Sequence, residues 1–377
     1  MLKSMAKAML RAVRTRNDIR RLGKLYTEKH DQLDAEVHVR EALGWLCRAQ
    51  DEGTDRGVAY GTILGRGFEP SYPETTGYII PTILTLADRN GDASLVDRAK
   101  DMGDWEISIQ LESGAVMAGK ATAEPAPAIF NTGQVLLGWN ALLEKTGEER
   151  YETAARRASD WMVEMQDPDG FWFRGNSPFA NPKTTVYNVR AAWGLAQTGK
   201  TLGEERYVAA AVRNAAYAVG NQRNNGWFAN CCLTDAEHPL THTLAYTARG
   251  LLEIGRLCGR DDFVEASRRT AGAVVDATDE NGFLAARFGA DWSPAAHFCC
   301  LTGAAQFSII LSKLGDAAFK PTAAALNRYL MARHDISNED PAVRGGLAGS
   351  WPVWGDYGRF TILNWATKFF VDALLEA

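Results

Sequence analysis

The sequence predicts an all-α protein, a closed (α/α)6 toroid of helical hairpins with a 56-residue period. Three observations carry that prediction. Glycine recurs at Gly91, Gly147, Gly203, Gly259 and Gly315, and on a second track at Gly114, Gly170, Gly226 and Gly282, every step being 56 residues. Between the glycines, segments apolar on nearly every face alternate with segments that carry one charged face. The chain also starts on a half-wet helix and ends on a strongly apolar one, ILNWATKFFVDALLEA, so each end can cover the other. An open solenoid, the alternative, needs polar caps at its ends.

Other positions keep their character at the same step. Leu95, Tyr151, Tyr207, Phe263 and Phe319 are large and apolar, and Ala99, Ala155, Ala211, Ser267 and Ala323 are small. Gln110, Gln166 and Gln222 each stand four residues before a second-track glycine, and Trp45, Gln50 and Gly53 read as an earlier, shifted copy. One unit shows the logic. IFNTGQVLLGWNALLEK at 129–145 is a helix buried all round, Gly147 suits its C-cap, and EERYETAARRASDWMVEMQ at 148–166 has one wet face before Asp167-Pro168-Asp169-Gly170 breaks it. The same reading places inner helices near 74–89, 129–145, 185–202, 240–258, 296–314 and 361–375. Outer helices fall near 33–50, 93–110, 148–166, 205–222, 261–277 and 316–334. No sheet is expected beyond short hairpins in the long loops.

The 377 residues are 46% hydrophobic and 23% charged, which excludes a disordered chain, collagen and a coiled coil. The net charge of −5 argues against a nucleic-acid partner. Charge is unevenly spread: residues 1–25 hold eight Lys and Arg against Asp18 alone, interleaved with Leu2, Met5, Met9, Leu10, Val13, Ile19 and Leu22. Two units follow, a basic amphipathic leader helix over 1–30 and a single toroid domain over 31–377. The leader suits either contact with an anionic membrane surface or packing on the body. It lacks the apolar core of a signal peptide. With Cys47, Cys231, Cys232, Cys258, Cys299 and Cys300 in no disulfide-like spacing, a cytoplasmic protein is expected, peripheral at the inner face of the membrane only if the leader makes the membrane contact.

Inner-to-outer turns are short, whereas outer-to-inner loops near 111–128, 167–184, 223–239, 278–295 and 335–360 are long, the usual place of function. Six inner helices start at that end, and their free N–H groups favour an anionic ligand. Residues expected at this mouth are Tyr72, Glu74, Tyr78, Asn131, Gln134, Tyr187, Asn188, Arg190, His242, Tyr246, His297, Gln306, Asn364 and Lys368. The loops add Trp172, Trp227, Trp292, Trp351, Trp354, Asp356 and Tyr357. Aromatic faces beside amide and hydroxyl donors suit a sugar ring.

The period, the Gln-x-x-x-Gly-x-(Trp/Phe) loops and the Gly-Glu-Glu-Arg-Tyr turns at 147–151 and 203–207 resemble α/α-toroid proteins. That group includes six-hairpin glycosidases, polysaccharide lyases, the C-terminal domain of glucuronyl C5-epimerases and terpenoid cyclases. Tyr-Pro-Glu-Thr-Thr-Gly-Tyr at 72–78, Cys-Leu-Thr-Gly-Ala-Ala-Gln at 300–306, Gly-Ser-Trp-Pro-Val-Trp-Gly-Asp-Tyr-Gly at 349–358 and Asn-Trp-Ala-Thr-Lys-Phe-Phe at 364–370 are similar to bacterial VpsJ-type polysaccharide-biosynthesis proteins. The resemblance implies a carbohydrate-active protein acting on an acidic oligo- or polysaccharide, and it fixes no reaction.

Several chemistries stay open. A lyase or C5-epimerase must neutralise a uronate, remove its C5 proton and protonate an oxygen or the opposite face. Asn188 and Arg190 on one inner helix suit the carboxylate. His242, near its ordinary pKa of about 6.5, suits the base, and Tyr246, one turn on, the acid. A hydrolase needs two carboxyls, for which Glu74 and Asp356 are the pair and Asp291 the spare. A terpenoid cyclase lacks its acid-rich string here. Zinc on Cys231, Cys232, His297, Cys299 and Cys300 lacks the usual ligand spacing, so no metal or other cofactor is expected. A saccharide-binding scaffold without catalysis is the non-enzymatic alternative.

Overall fold

The computed structural model describes residues 34–121 and 124–377. The expected leader helix lies outside them. Twelve α-helices are present among the described residues. The outer ones are α1 (Ala35–Asp51), α3 (Ala93–Ser108), α5 (Glu149–Met165), α7 (Glu205–Gly220), α9 (Asp261–Ala277) and α11 (Lys320–Met331). The inner ones are α2 (Pro73–Asn90), α4 (Ile129–Thr146), α6 (Val189–Leu202), α8 (Thr241–Cys258), α10 (Leu301–Leu314) and α12 (Asn364–Leu375). Inner helices pack side by side in chain order, and α12 packs on both α1 and α2, which closes the ring. The fold is an (α/α)6 toroid. No described helix is long and apolar enough to cross a membrane.

The 56-residue period has a hydrogen-bond cause. Gln110 Nε2 donates to Gly114 O (2.9 Å) and to Ala154 O on the next outer helix (3.0 Å). Gln166 repeats this with Gly170 and Ala210, and Gln222 with Gly226 and Ala266. Each amide thus closes its own loop and ties one hairpin to the next. Gln50 makes the same pair of bonds to Arg56 O and Arg98 O. The shifted first copy therefore places Arg56 (φ 74°), and not the expected Gly53, at the left-handed position. At the closing seam His334 takes the glutamine's place, its Nε2 2.8 Å from Gly345 O and its Nδ1 2.9 Å from His38 Nδ1 on α1. Gly345 (φ 84°) rests on α1 so closely that a Cβ would lie 2.3 Å from Glu41 O.

Further bonds lock the seam. Asn364 Nδ2 donates to Ala59 O (2.8 Å) and Thr75 Oγ1 (2.7 Å), and Trp45 Nε1 to Ala342 O (2.8 Å). The strands depart from the expected local hairpins. β1 (Gly61–Ile63) pairs antiparallel with β2 (Gly67–Phe68), as a hairpin would, but also with β5 (Thr361–Leu363) from the last loop, with Thr62 opposite Ile362. β3 (Cys299–Cys300) pairs with β4 (Ser350–Trp351). The β1–β5 pairing joins the first and last loops because ring closure brings them together, whereas β3 and β4 join neighbouring loops.

Candidate active site in the barrel mouth

The inner helices project their side chains into the barrel in layers that follow the 56-residue step. The uppermost layer takes Glu74, Phe130 and His242 from successive equivalent positions, and Tyr78, Gln134, Arg190, Tyr246 and Thr302 form a layer one turn deeper. Close approach between inner helices lets the layers meet across the axis. A Cβ on Gly138 would lie 2.3 Å from Gly77 O, and one on Gly194 2.1 Å from Gly133 O.

Above the deeper layer lies a cavity of about 240 Å³. Its wall is aromatic: Tyr60, Tyr72, Phe130, Tyr187, Tyr246, Tyr357 and Trp365, with Phe179 and Leu233 at the rim. Trp365 meets Tyr60 edge-on at 4.8 Å and donates its indole N–H to Tyr357 Oη at 2.7 Å. The ring of Phe130 lies 5.0 Å from that of Tyr246, whose hydroxyl is 3.4 Å from Tyr78 Oη in the layer beneath. Among the described residues no Lys or Arg lines the cavity, although Lys120 Nζ lies 4.8 Å from the ring centre of Tyr60, and the ionisable lining groups other than tyrosine are Glu74 and His242.

Glu74 stands in the first turn of α2 and is hydrogen-bonded to Tyr72. Burial among aromatic rings, against a smaller opposite effect of the Tyr72 bond, pushes its carboxyl up to about 8. Glu74 therefore carries a proton at neutral pH. His242 stands at the start of α8, its ring 4.2 Å from Tyr246 and 5.0 Å from Tyr357. Burial, with the Arg190 charge adding to it, lowers its pKa to about 3. Gln306 on α10 places its amide nitrogen 2.8 Å from His242 Nδ1. With that nitrogen donating, the proton of the neutral ring sits on Nε2. Burial thus moves His242 well below the expected value near 6.5 and keeps its ring neutral at neutral pH. Burial first, and Glu74 second, also raises the Tyr246 phenol far above its ordinary value.

Of the residues expected at the mouth, Tyr72, Glu74, Asn131, Tyr187, His242, Tyr246 and Tyr357 line this cavity, and Gln306 reaches it through His242. Others stand elsewhere. Asn188 is buried and gives its amide to Asn176 Oδ1 (2.9 Å). Arg190, Tyr78 and Lys368 line a second cavity on the other side of the deeper layer, and Gln134 Oε1 accepts from Arg190 Nε (3.3 Å). Asn188 and Arg190 therefore do not line the cavity that holds His242, although the Arg190 charge acts on that ring. Asp356 is exposed and paired with Arg359 at 2.9 Å, so the two-carboxyl set of Glu74 and Asp356 is not formed either. Asp291 is exposed on the outer rim with Trp292, whose indole donates to Asn225 O.

Trp172 and Trp227 are buried in the wall, donating to Met162 O and Phe288 O. Trp351 and Trp354 are half-buried in the last loop, His297 is exposed, and Asn364 belongs to the seam. Among the described residues no group of three His, Cys, Asp or Glu is arranged to hold a metal. Cys231, Cys232, Cys299 and Cys300 are buried with free thiols.

The cavity also uses residues that sequence reasoning passed over. Phe130 is signalled by its 56-residue spacing from Glu74. Tyr60 and Trp365 have no such signal, because pairing of β1 with β5 is what draws their loops together.

No family model and no curated protein matches the sequence. Solved structures do match its fold. An unsaturated glucuronyl hydrolase specific for heparin superposes with a TM-score of 0.73 at 14% identity, over 91% of this chain and 96% of that one. An unsaturated glucuronyl hydrolase from Bacillus sp. GL1, described as responsible for the degradation of glycosaminoglycan, gives 0.68 at 15% identity, over 91% and 96%. A polysaccharide lyase gives 0.65 at 11% identity, over 91% and 96%.

Proposed function

We propose that this chain is a carbohydrate-active enzyme that binds an acidic oligosaccharide in the aromatic cavity and acts on it by proton donation from Glu74. The observation that carries the reading is Glu74 itself, the one carboxyl lining the cavity among the described residues, kept protonated at neutral pH by its surroundings. Ordinary glycoside hydrolysis needs a second carboxyl about 5–9.5 Å away, and the described residues of the cavity lining hold none. Lyase or epimerase chemistry needs a base for the C5 proton, and neither His242 nor Tyr246 is tuned for that.

Addition of water to an unsaturated uronyl end needs only one acid, and the names of two similar structures carry that substrate class. Glu74 gives its proton to C4 of the C4=C5 enol ether. The positive charge that develops on C5 and the ring oxygen is taken up when water adds at C5, its proton returning to Glu74. The hemiketal so formed opens and releases the sugar it was joined to. The Nε2–H of His242 and the N-terminal N–H groups of the inner helices receive the substrate carboxylate. The rings of Tyr60, Tyr72 and Trp365 cover the sugar faces.

The test is the panel Glu74→Gln, His242→Ala and Tyr246→Phe, assayed by loss of ultraviolet absorbance from 4,5-unsaturated uronyl disaccharides. Glu74→Gln is expected to abolish turnover, with the other two retaining part of it. Full activity of Glu74→Gln overturns the assignment. Growth of absorbance from saturated acidic polymers puts a lyase in its place, and tight binding without turnover puts a binding protein there.

A further inference from the structure

On the far side of the layer that holds Tyr78 and Tyr246, the barrel contains a second cavity of about 220 Å³. Its walls mix apolar side chains, Pro81, Leu137, Ala141 and Trp193, with the hydroxyls of Thr82 and Thr85. Among the described residues three cations line it, Arg190, Arg249 and Lys368, against two carboxylates, Asp372 and Glu376, while Glu253 and Lys313 join the cluster through their ion pairs with Arg249 and Glu376. Each carboxylate already has a cation: Arg249 Nε lies 2.6 Å from Glu253, Lys313 Nζ 2.7 Å from Glu376, and Lys368 Nζ 2.5 Å from Asp372.

Arg190 is the cation left over. It is 2% exposed, and its one hydrogen bond among the described residues is from Nε to Gln134 Oε1. Its Nη1 is buried without a partner, while its guanidinium lies 4.5 Å from the ring centre of Trp193. Burial and the neighbouring Arg249 bring its pKa down to about 10, which leaves it charged at neutral pH. A buried charge without a counter-charge is strongly unfavourable. A planar guanidinium with free Nη groups is shaped to receive two oxygens of one carboxylate.

We propose that this far cavity is a second ligand site, which takes a small organic monocarboxylate held by the Arg190 guanidinium. One negative charge balances the cluster, whereas a dianion overshoots it. The C-terminal ends of the inner helices, which lie on this side, also disfavour a second negative charge. The apolar wall then accommodates a short hydroxylated carbon skeleton, whose hydroxyl can donate to Thr82 or Thr85, their own protons being given to Asp372 Oδ1 and Pro81 O. The site is separate from the mouth and independent of the reaction assigned there.

The experiment titrates sodium acetate and sodium lactate into the full chain at constant ionic strength, with sodium chloride and sodium phosphate as the other arms. Heat of binding and Tm are both read. The carboxylates are expected to bind saturably and to raise Tm by roughly 2–5 °C at about a hundred times Kd, with chloride and phosphate giving no saturable response. Arg190→Met is expected to lose the carboxylate response, and Glu74→Gln to keep it. A response that survives in Arg190→Met, one that chloride equals, or one that Glu74→Gln removes overturns the proposal. Should Arg190→Met fail to fold, wild-type crystals soaked in lactate decide: carboxylate density on the guanidinium supports the site, and an empty cavity refutes it.

Discussion

The two ends of the barrel are built from the same six helices and treat buried carboxyls in opposite ways. At the mouth, Glu74 is surrounded by aromatic rings with no cation among the described residues of the lining, and burial pushes it up to about 8. At the far end, burial also works to raise Glu253, but Arg249 and Lys313 outweigh it and hold that carboxyl below its ordinary value. Depth alone therefore does not decide protonation. The company of a cation does. The mouth is roofed by long loops that supply the aromatic rings of Tyr60 and Tyr357. The far end is closed by short turns, and its charges pair along and between helices. One end is suited to giving a proton, the other to holding a charge.

The largest expected effect tests the mouth. Glu74→Gln should lower kcat/KM by roughly 10²–10⁴-fold, the usual weight of a positioned acid. In the wild type, kcat/KM should fall as pH rises through about 8, where Glu74 ionises, and should not fall on the acid side through protonation of His242 until about 3. Stability carries the same signature. Because the folded pKa of Glu74 is raised from 4.5, its contribution is full below about 4.5 and is lost as pH rises toward 8. His242 acts in the reverse sense: its folded value is depressed, so its contribution is present above about 6.5 and is lost as pH falls toward 3. Urea midpoints from pH 4 to 9 should show the alkaline decline in the wild type and a shallower one in Glu74→Gln.

At the far end the contrast can be broken directly. Arg249→Met removes the closer cation from Glu253, which should then titrate upward, and should cost roughly 1–3 kcal/mol of stability at neutral pH for a partly exposed pair. Chemical denaturation at pH 7 and at pH 5 checks it, the loss being smaller at pH 5, where the carboxyl more readily takes a proton. A Glu253 that stays ionised in that variant would remove the idea that the cations set its state.

Smaller effects refine the mouth. Gln306→Leu leaves His242 Nδ1 without its donor, and the ring is then free to move its proton from Nε2. Roughly a tenfold loss in kcat, together with a changed nitrogen resonance for His242, is expected, the loss of one charge-neutral hydrogen bond being about 1 kcal/mol. Tyr246→Phe removes only a long contact to Tyr78 Oη and should have the weakest effect of the series, within about threefold, read in kcat.

Much of the architecture was legible because its causes are periodic. The glutamine that ties each loop glycine to the next outer helix is the same residue type in successive units, so one step exposed every hairpin. The first and last units were less legible. Arg56 takes a glycine's conformation and His334 a glutamine's bonds, substitutions that only the closed ring explains. In the site, Glu74, His242 and Tyr246 could be named from their places near inner-helix starts. Arg190 could not be assigned to its cavity, because a long side chain near a helix start can reach to either side of a layer.

The sequence by itself determined the alternation of inner and outer helices, the period, the closure of the ring and the end at which the long loops gather. Those properties follow from local hydrophobic pattern and repetition, which a linear chain displays directly. Only the tertiary structure decided that Glu74 has no second carboxyl beside it among the described residues of its cavity, that Gln306 meets His242, that Asp356 faces solvent and that Arg190 lines the opposite cavity. Each of these depends on which groups from distant hairpins meet across the barrel axis. Protonation and pairing in a buried site are properties of that meeting, and no single segment of the chain contains them.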